Sequence, residues 1–215
     1  MNTSSAVFLR SAPDLDSCPD DDQPEFAFAG RSNVGKSSLL NMLVGKRSLA
    51  RVSATPGHTK HLNFFDINGR WRLVDMPGYG YAKVARREKT NFNQAVADYL
   101  VQRPNLVCVF TLVDSSLPPQ ALDLGFVEFL VDNEVPLVLV FTKTDKAGPT
   151  LAQANIDAFK ARLAEWTANL PVILTCSAVK GTGRAELLKI IDAGLEPEHK
   201  KPHPPKAPKK RNTPW

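Results

Sequence analysis

Eight consecutive residues carry the clearest chemical pattern in the chain. Gly30-Arg-Ser-Asn-Val-Gly-Lys-Ser37 fits GxxxxGK[ST], the spacing of a phosphate-binding loop, or P-loop. The glycines let successive backbone N–H groups turn inward, and the N-terminus of a following helix adds partial positive charge, so together they cradle a di- or triphosphate. We expect Lys36 to reach the β- and γ-phosphates and the Ser37 hydroxyl to ligate Mg²⁺.

A second motif, Asp75-Met-Pro-Gly78, closes an apolar run. Its carboxylate is expected to hold a magnesium-bound water opposite Ser37, and the backbone N–H of Gly78 to contact the γ-phosphate. Taken alone, Asp followed by Pro-Gly is an ordinary turn. Its position one hairpin after a P-loop favours the functional interpretation.

A third motif, Thr142-Lys-Thr-Asp145, indicates which base is bound. Guanine presents two adjacent donors, N1–H and the 2-amino group, which one carboxylate accepts, whereas adenine would leave that carboxylate unpaired. Asp145 therefore favours GTP over ATP, with the methylenes of Lys143 along the base. In isolation this tetrapeptide would be a solvated strand end. Ser177-Ala178 follows a later apolar run and is expected to offer a backbone N–H to the guanine 6-oxo group.

The polar segment from Ser53 to His61 lies between the P-loop helix and the next predicted strand. A mobile loop there could supply a second hydroxyl to Mg²⁺ and sense the γ-phosphate. Thr55 and Thr59 both qualify, and spacing does not choose between them. The alternative is a plain surface loop.

These motifs need a scaffold, and the hydropathy pattern predicts an α/β fold. Apolar runs alternate with helical stretches, which is typical of a mostly parallel sheet with helices on both faces. We predict a six-stranded sheet with one antiparallel strand, since Asn68-Gly69 indicates a hairpin. The predicted strands are Glu25–Ala29, Leu62–Ile67, Trp71–Asp75, Leu106–Val113, Pro136–Thr142 and Val172–Thr175. The predicted helices are Lys36–Val44, Arg86–Val101, Gln120–Asp132, Leu151–Thr167 and Arg184–Ala193.

Composition predicts one domain with two tails: an acidic extension at 1–24, a nucleotide-binding domain at 25–195 and a flexible Pro/Lys-rich tail at 196–215. Residues 1–25 contain one basic and six acidic residues, whereas residues 195–215 contain six basic and two acidic ones, within a net charge of +5. The three cysteines form no metal-ligand pattern, and no apolar run is long enough to cross a membrane. We expect a cytoplasmic monomer without membrane contact, whose charge permits a polyanionic partner.

With its elements in this order the chain resembles the translation-factor-related GTPases, and more narrowly the EngB family, also called YihA or YsxC, of bacterial ribosome-assembly GTPases. The resemblance spans nearly all of residues 25–185. It rests on FAFAGRSNVGKSSLLN (26–41), TPGHTKHLNFF (55–65), LVDMPGYGYAKV (73–84), FTKTDK (141–146) and SAVKGTG (177–183). The VDMPGYGYA segment and the TPGxT loop are the specific part.

The resemblance implies a Mg²⁺-dependent GTPase with Ser37 and Thr59 as metal ligands, Asp75 acting through water, and Asn33 as a candidate K⁺ ligand. The residues then expected to contact GTP or GDP are Gly30, Arg31, Ser32, Asn33, Val34, Gly35, Lys36, Ser37, Ser38, Gly57, His58, Thr59, Asp75, Met76, Pro77, Gly78, Thr142, Lys143, Thr144, Asp145, Cys176, Ser177 and Ala178.

Two departures from the wider GTPase pattern matter. Tyr79 stands where many GTPases have a water-orienting Gln, so we expect slow hydrolysis, with Lys36 and Thr59 assisting and no visible catalytic base. Thr142 stands where Asn is commoner, which puts the extra contact of that side chain in question. Tyr79, Tyr81 and Lys83 either contact a partner, with aromatics stacking on RNA bases, or pack back onto the domain.

The resemblance implies that the partner is the large ribosomal subunit or its RNA, with a linked role in septation. An alternative is a cell-division regulator that acts through a protein partner at the septum without binding ribosomes. A third interpretation, a P-loop kinase or ATPase that happens to carry TKTD, conflicts with the base preference of Asp145.

Overall fold

The computed structural model describes residues 3, 5–46, 49, 61–80 and 86–196, except for the side chains of 86–93. The predictions for Thr55, Gly57, His58 and Thr59, for Tyr81 and Lys83, and for the tail beyond residue 196 lie outside the described residues.

The described residues form a seven-stranded sheet in the order β1-β3-β4-β2-β5-β6-β7, which is the core of the fold. Its strands are β1 (Ala6–Ala12), β2 (Glu25–Gly30), β3 (Leu62–Ile67), β4 (Trp71–Asp75), β5 (Leu106–Asp114), β6 (Leu137–Thr142) and β7 (Val172–Thr175). Parallel pairing joins β4 to β2, β2 to β5, β5 to β6 and β6 to β7, while β3 runs antiparallel to β4. The α/β class and the hairpin are confirmed.

The prediction of six strands was one short, because β1 lies in the stretch assigned to an acidic extension. It pairs antiparallel with β3, from Ala6 opposite Ile67 to Ala12 opposite Leu62. Only its two terminal residues are buried, and Val7 and Phe8 are more than half exposed. An edge strand of this kind lacks the apolar alternation by which buried strands are recognised.

Six helices accompany the sheet: α1 (Lys36–Val44), α2 (Arg86–Gln102), α3 (Ala121–Asp132), α4 (Thr144–Ala147), α5 (Pro149–Ala164) and α6 (Arg184–Gly194), counted over the described part of the chain. Leu40 of α1 and Ile191 of α6 share one apolar cluster with Phe28. On the other face, α2, α3 and α5 contribute Tyr99, Phe126 and Phe159. Helices therefore cover both faces, as predicted. No helix among the described residues is long and apolar enough to cross a bilayer.

The parallel strands bring the motifs together. The strands β2, β4, β5, β6 and β7 end at Gly30, Asp75, Asp114, Thr142 and Thr175. Because these strands run in the same direction, their carboxyl ends lie along one edge of the sheet, where open α/β sheets bind ligands. The P-loop, DMPG, TKTD and Ser177-Ala178 all begin there.

Candidate nucleotide-binding site

The P-loop joins β2 to α1 through a backbone that requires glycine. A Cβ added to Gly30 would lie 2.8 Å from Val34 Cγ1 and 3.0 Å from the Leu112 carbonyl oxygen, so no side chain fits. Gly35 precedes the helix with a φ of 101°, a left-handed conformation that L side chains rarely adopt. Asn33 is also left-handed, with a φ of 67°. The loop therefore curls tightly into the N-terminus of α1, the geometry that aims N–H groups at an anion.

Lys36 and Asp75 meet at the mouth of the P-loop. The Lys36 ammonium contacts the Asp75 carboxylate directly, and the side chains are 10% and 5% exposed. The sequence separates these residues by the predicted mobile loop and a hairpin, yet the fold brings the end of β4 against the start of α1. Hydroxyl and carboxylate oxygens are ligands that Mg²⁺ prefers, so Ser37 in the first turn of α1 and Asp75 fit a magnesium site.

Two side chains of the TKTD segment donate hydrogen bonds to the P-loop. The Thr142 hydroxyl donates to the Val34 carbonyl oxygen at 2.6 Å. The Lys143 ammonium donates to the Asn33 carbonyl oxygen at 2.7 Å. Thr142 thus makes a side-chain contact with the P-loop, although such a contact was in question because Asn is commoner at this position. The methylenes of Lys143 pass over Gly35, since a Cβ at Gly35 would lie 3.8 Å from Lys143 Cε.

Asp114 is a site residue that the sequence analysis missed. Its carboxylate contacts the Lys143 ammonium and accepts a hydrogen bond from the Ser116 hydroxyl at 2.6 Å. Burial alone would raise the pKa of Asp114, but the hydrogen bonds from Lys143 and Ser116 outweigh it and hold that pKa below the ordinary value. The available signal was its place at the end of an apolar strand, the same pattern that drew attention to Asp75.

Asp145, the predicted base-reading carboxylate, is held by the neighbouring loop. The buried Ser177 hydroxyl donates to Asp145 Oδ1 at 2.6 Å and accepts a hydrogen bond from the Lys180 backbone N–H at 3.1 Å. The Thr144 hydroxyl donates to the Cys176 carbonyl oxygen at 3.2 Å, which joins the same two loops. The hydrogen bond from Ser177 lowers the pKa of Asp145, so the carboxylate stays ionised and can accept both guanine donors.

Ser177 was predicted to act through a backbone N–H in the pair Ser177-Ala178. In the structure its side-chain hydroxyl also donates a hydrogen bond to Asp145 and so orients that carboxylate. Gly183 makes this loop possible, because a Cβ there would lie 2.3 Å from Cys176 Sγ and 2.5 Å from the Thr175 carbonyl oxygen.

Tyr79, which follows Gly78, packs back onto the domain. The residue is 5% exposed, and its ring stacks on that of Phe126 at a centroid distance of 4.8 Å. Its hydroxyl donates to Asp123 Oδ1 at 3.1 Å. Of the two interpretations of this tyrosine, partner contact and internal packing, the structure therefore shows packing.

The fold brings together four groups of predicted residues, whereas Gly57, His58 and Thr59 are not among the described residues. The groups are Gly30 to Ser38, Asp75 to Gly78, Thr142 to Asp145, and Cys176 to Ala178. The predicted phosphate, metal and base subsites are thus contiguous along one edge of the sheet.

Comparison with known proteins agrees with this geometry. Residues 25–143 match a family model described as a 50S ribosome-binding GTPase. A probable GTP-binding protein EngB of Christiangramia forsetii is 41% identical over 192 residues, which is 89% of this chain and 97% of that protein. A second, from Phocaeicola vulgatus, is 43% identical over 193 residues, or 90% of this chain and 96% of that protein.

Solved structures show the same fold. The crystal structure of a probable GTP-binding protein engB aligns with a TM-score of 0.63 and 24% identity, covering 80% of this chain and 98% of that one. The P-loop, the predicted guanine-reading carboxylate and these relatives lead to one conclusion: the chain belongs to the EngB family of GTP-binding proteins and is a P-loop GTPase.

Proposed function

We propose that this GTPase is a nucleotide-controlled assembly factor for the large ribosomal subunit, binding ribosomal particles with GTP and leaving after hydrolysis. The observation that carries the proposal is the match of residues 25–143 to a family described as 50S ribosome-binding. The charge supports it, because outside the two ends the chain has 20 basic and 14 acidic residues. A polyanionic partner such as ribosomal RNA complements that balance.

Magnesium is the proposed metal cofactor, held by Ser37 and Thr59 directly and by Asp75 through water. The ion neutralises charge on the β- and γ-phosphates. The direct contact between Lys36 and Asp75 supports this assignment. It places the carboxylate that is expected to face the metal beside the lysine that is expected to reach the phosphates. For Asn33 we retain the proposal of a K⁺ contact.

Slow intrinsic hydrolysis follows from Tyr79. The side chain at the position of the water-orienting Gln is buried and hydrogen-bonded to Asp123, so it has no free polar group for an attacking water. Lys36 and Thr59 remain to assist by binding phosphate and metal. A partner or K⁺ would then have to raise the rate.

Co-sedimentation with purified large-subunit particles tests the ribosomal role. The protein should bind more tightly with a non-hydrolysable GTP analogue than with GDP, and added salt should weaken binding, as expected for contacts to phosphates. Equal binding with both nucleotides, or none, would overturn the proposal.

A protein truncated after Glu196 should keep its nucleotide affinity but bind particles less well, and equal sedimentation of both forms would contradict a role for the tail.

A second candidate function is regulation of septation through a protein partner without direct ribosome binding, and cross-linking in cells distinguishes it. Recovery of ribosomal RNA supports the first function, whereas recovery of division proteins alone supports the second. Both would place the protein in the cytoplasm, and we propose that it works as a monomer.

A further inference from the structure

Asp123 is a buried carboxylate that joins two loops of the nucleotide site. It lies in the first turn of α3 and is 1% exposed. Its two carboxylate oxygens lie 3.1 and 3.2 Å from Nε of Arg31, which is the second residue of the P-loop. One of these oxygens also accepts a hydrogen bond from the Tyr79 hydroxyl. Burying a carboxylate is costly unless it is paired and hydrogen-bonded, so these partners are required for its burial.

The segment that follows Gly78 is held from two sides. On the α3 side, Tyr79 stacks on Phe126, and a Cβ at Gly80 would lie 3.0 Å from Leu122 Cδ1. On the P-loop side, the Ser32 N–H donates to the Tyr79 carbonyl oxygen at 3.2 Å, and the Tyr79 N–H donates to the Gly30 carbonyl oxygen at 3.3 Å. Tyr79 is therefore bonded to the P-loop through its backbone and to α3 through its side chain.

This arrangement fixes where Gly78 lies. A Cβ added to Gly78 would be 3.0 Å from Ser32 Oγ and 3.1 Å from the Ser32 backbone nitrogen, so the glycine packs directly on the P-loop. We expect a backbone N–H held there to meet the γ-phosphate of GTP, a group that GDP lacks. Whatever holds Gly78 in place therefore affects the two nucleotides differently, as a ligand-specific preference requires.

We propose that Asp123 is a positioning residue: by holding Arg31 and Tyr79 together it fixes Gly78 against the P-loop and so sets how strongly the site prefers GTP over GDP. The inference rests on the proposed contact between Gly78 and the γ-phosphate.

Titration of the full-length protein with GDP and with a non-hydrolysable GTP analogue, in Mg²⁺, tests this role. Tyr79→Phe removes only the hydroxyl and keeps the stack on Phe126, and Asp123→Asn keeps the size of the side chain. Each should lower the affinity for the GTP analogue roughly three- to tenfold, the usual range for one lost hydrogen bond, with GDP affinity nearly unchanged. Glu128→Gln, an exposed charge removal on the same helix, serves as the control and should change neither affinity.

Gly78→Ala separates this inference from the assignment on which it rests. If Gly78→Ala lowers affinity for the GTP analogue selectively while Tyr79→Phe and Asp123→Asn leave the ratio unchanged, the role of Asp123 is wrong and that of Gly78 stands. If Gly78→Ala has no selective effect, both are wrong. An equal loss for both nucleotides in Tyr79→Phe and Asp123→Asn would show a purely structural role and also overturn the proposal.

Discussion

The hydroxyl of Thr142 lies 2.6 Å from the carbonyl oxygen of Val34, which joins the guanine-reading segment to the P-loop. Both residues are buried, so the carbonyl has no access to water as an alternative partner. Thr142, which stands where Asn is commoner, makes this contact with a shorter side chain. The predicted phosphate and base subsites are therefore coupled within the protein.

Replacing Thr142 by Val tests that coupling, since valine has the same shape without the hydroxyl. It leaves the Val34 carbonyl oxygen unpaired, and an unsatisfied buried acceptor costs about 1–3 kcal/mol. We expect a lower free energy of unfolding and weaker GDP binding, measured by chemical denaturation and by titration. Thr142→Ser retains the hydroxyl and should behave much like the wild type; equal losses in both variants would contradict the role of this hydrogen bond.

Ser177→Ala should change the pH dependence of GDP binding. The hydrogen bond from Ser177 lowers the pKa of Asp145, so in the wild type the carboxylate remains ionised to a lower pH. Without the hydroxyl that pKa rises, and the loss of GDP affinity on acidification should begin at a higher pH. Titrations across the acidic range measure this shift.

Ser17→Ala is a matched control for that experiment. Ser17 also donates its hydroxyl to a carboxylate, Asp14 Oδ1 at 2.5 Å, but in the segment between β1 and β2. Its removal should leave the pH dependence of GDP binding unchanged. A similar shift in both variants would mean that the Ser177 result reflects general destabilisation.

Gly183→Ala should destabilise the loop that carries Ser177. The added Cβ would overlap Cys176 Sγ at 2.3 Å, and the backbone φ of 83° is itself unfavourable for alanine. Gly181 provides the comparison, because it has a similar φ of 71° with open space around it. The strained φ costs about 1–3 kcal/mol in either variant. Because Gly183→Ala also adds the overlap with Cys176, it should lower the melting temperature more than Gly181→Ala does. Equal costs would show that the close approach to Cys176 is not limiting.

The sequence predicts those parts of the fold that depend on local pattern. The run before Gly30 is apolar and fully buried, and the glycine spacing of the P-loop requires a left-handed turn, so β2, the loop and α1 were predicted at nearly their observed bounds. Helix α4 was missed because four residues carry no helical period. Strand β1 was missed because its middle residues are exposed.

Long-range contacts explain the remaining differences between the predicted and the observed site. Asp123 sits in a mostly apolar helical stretch and gives no local indication that it pairs with Arg31, 92 residues earlier. Ser177 likewise reveals its bond to Asp145 only once β6 and β7 lie side by side. Such residues can be nominated from sequence by type, but their partners are set by the order of the strands.

The most direct test of the account is titration with GDP, GTP and ATP in Mg²⁺, comparing the wild type with Asp145→Asn. The wild type should bind both guanine nucleotides and exclude ATP, and the variant should lose that preference, with GDP affinity lower by roughly tenfold or more, because a carboxylate that accepts two donors is gone. ATP binding as tight as GTP binding by the wild type, or an unchanged guanine preference in the variant, would contradict the assignment of Asp145 as the base-reading residue.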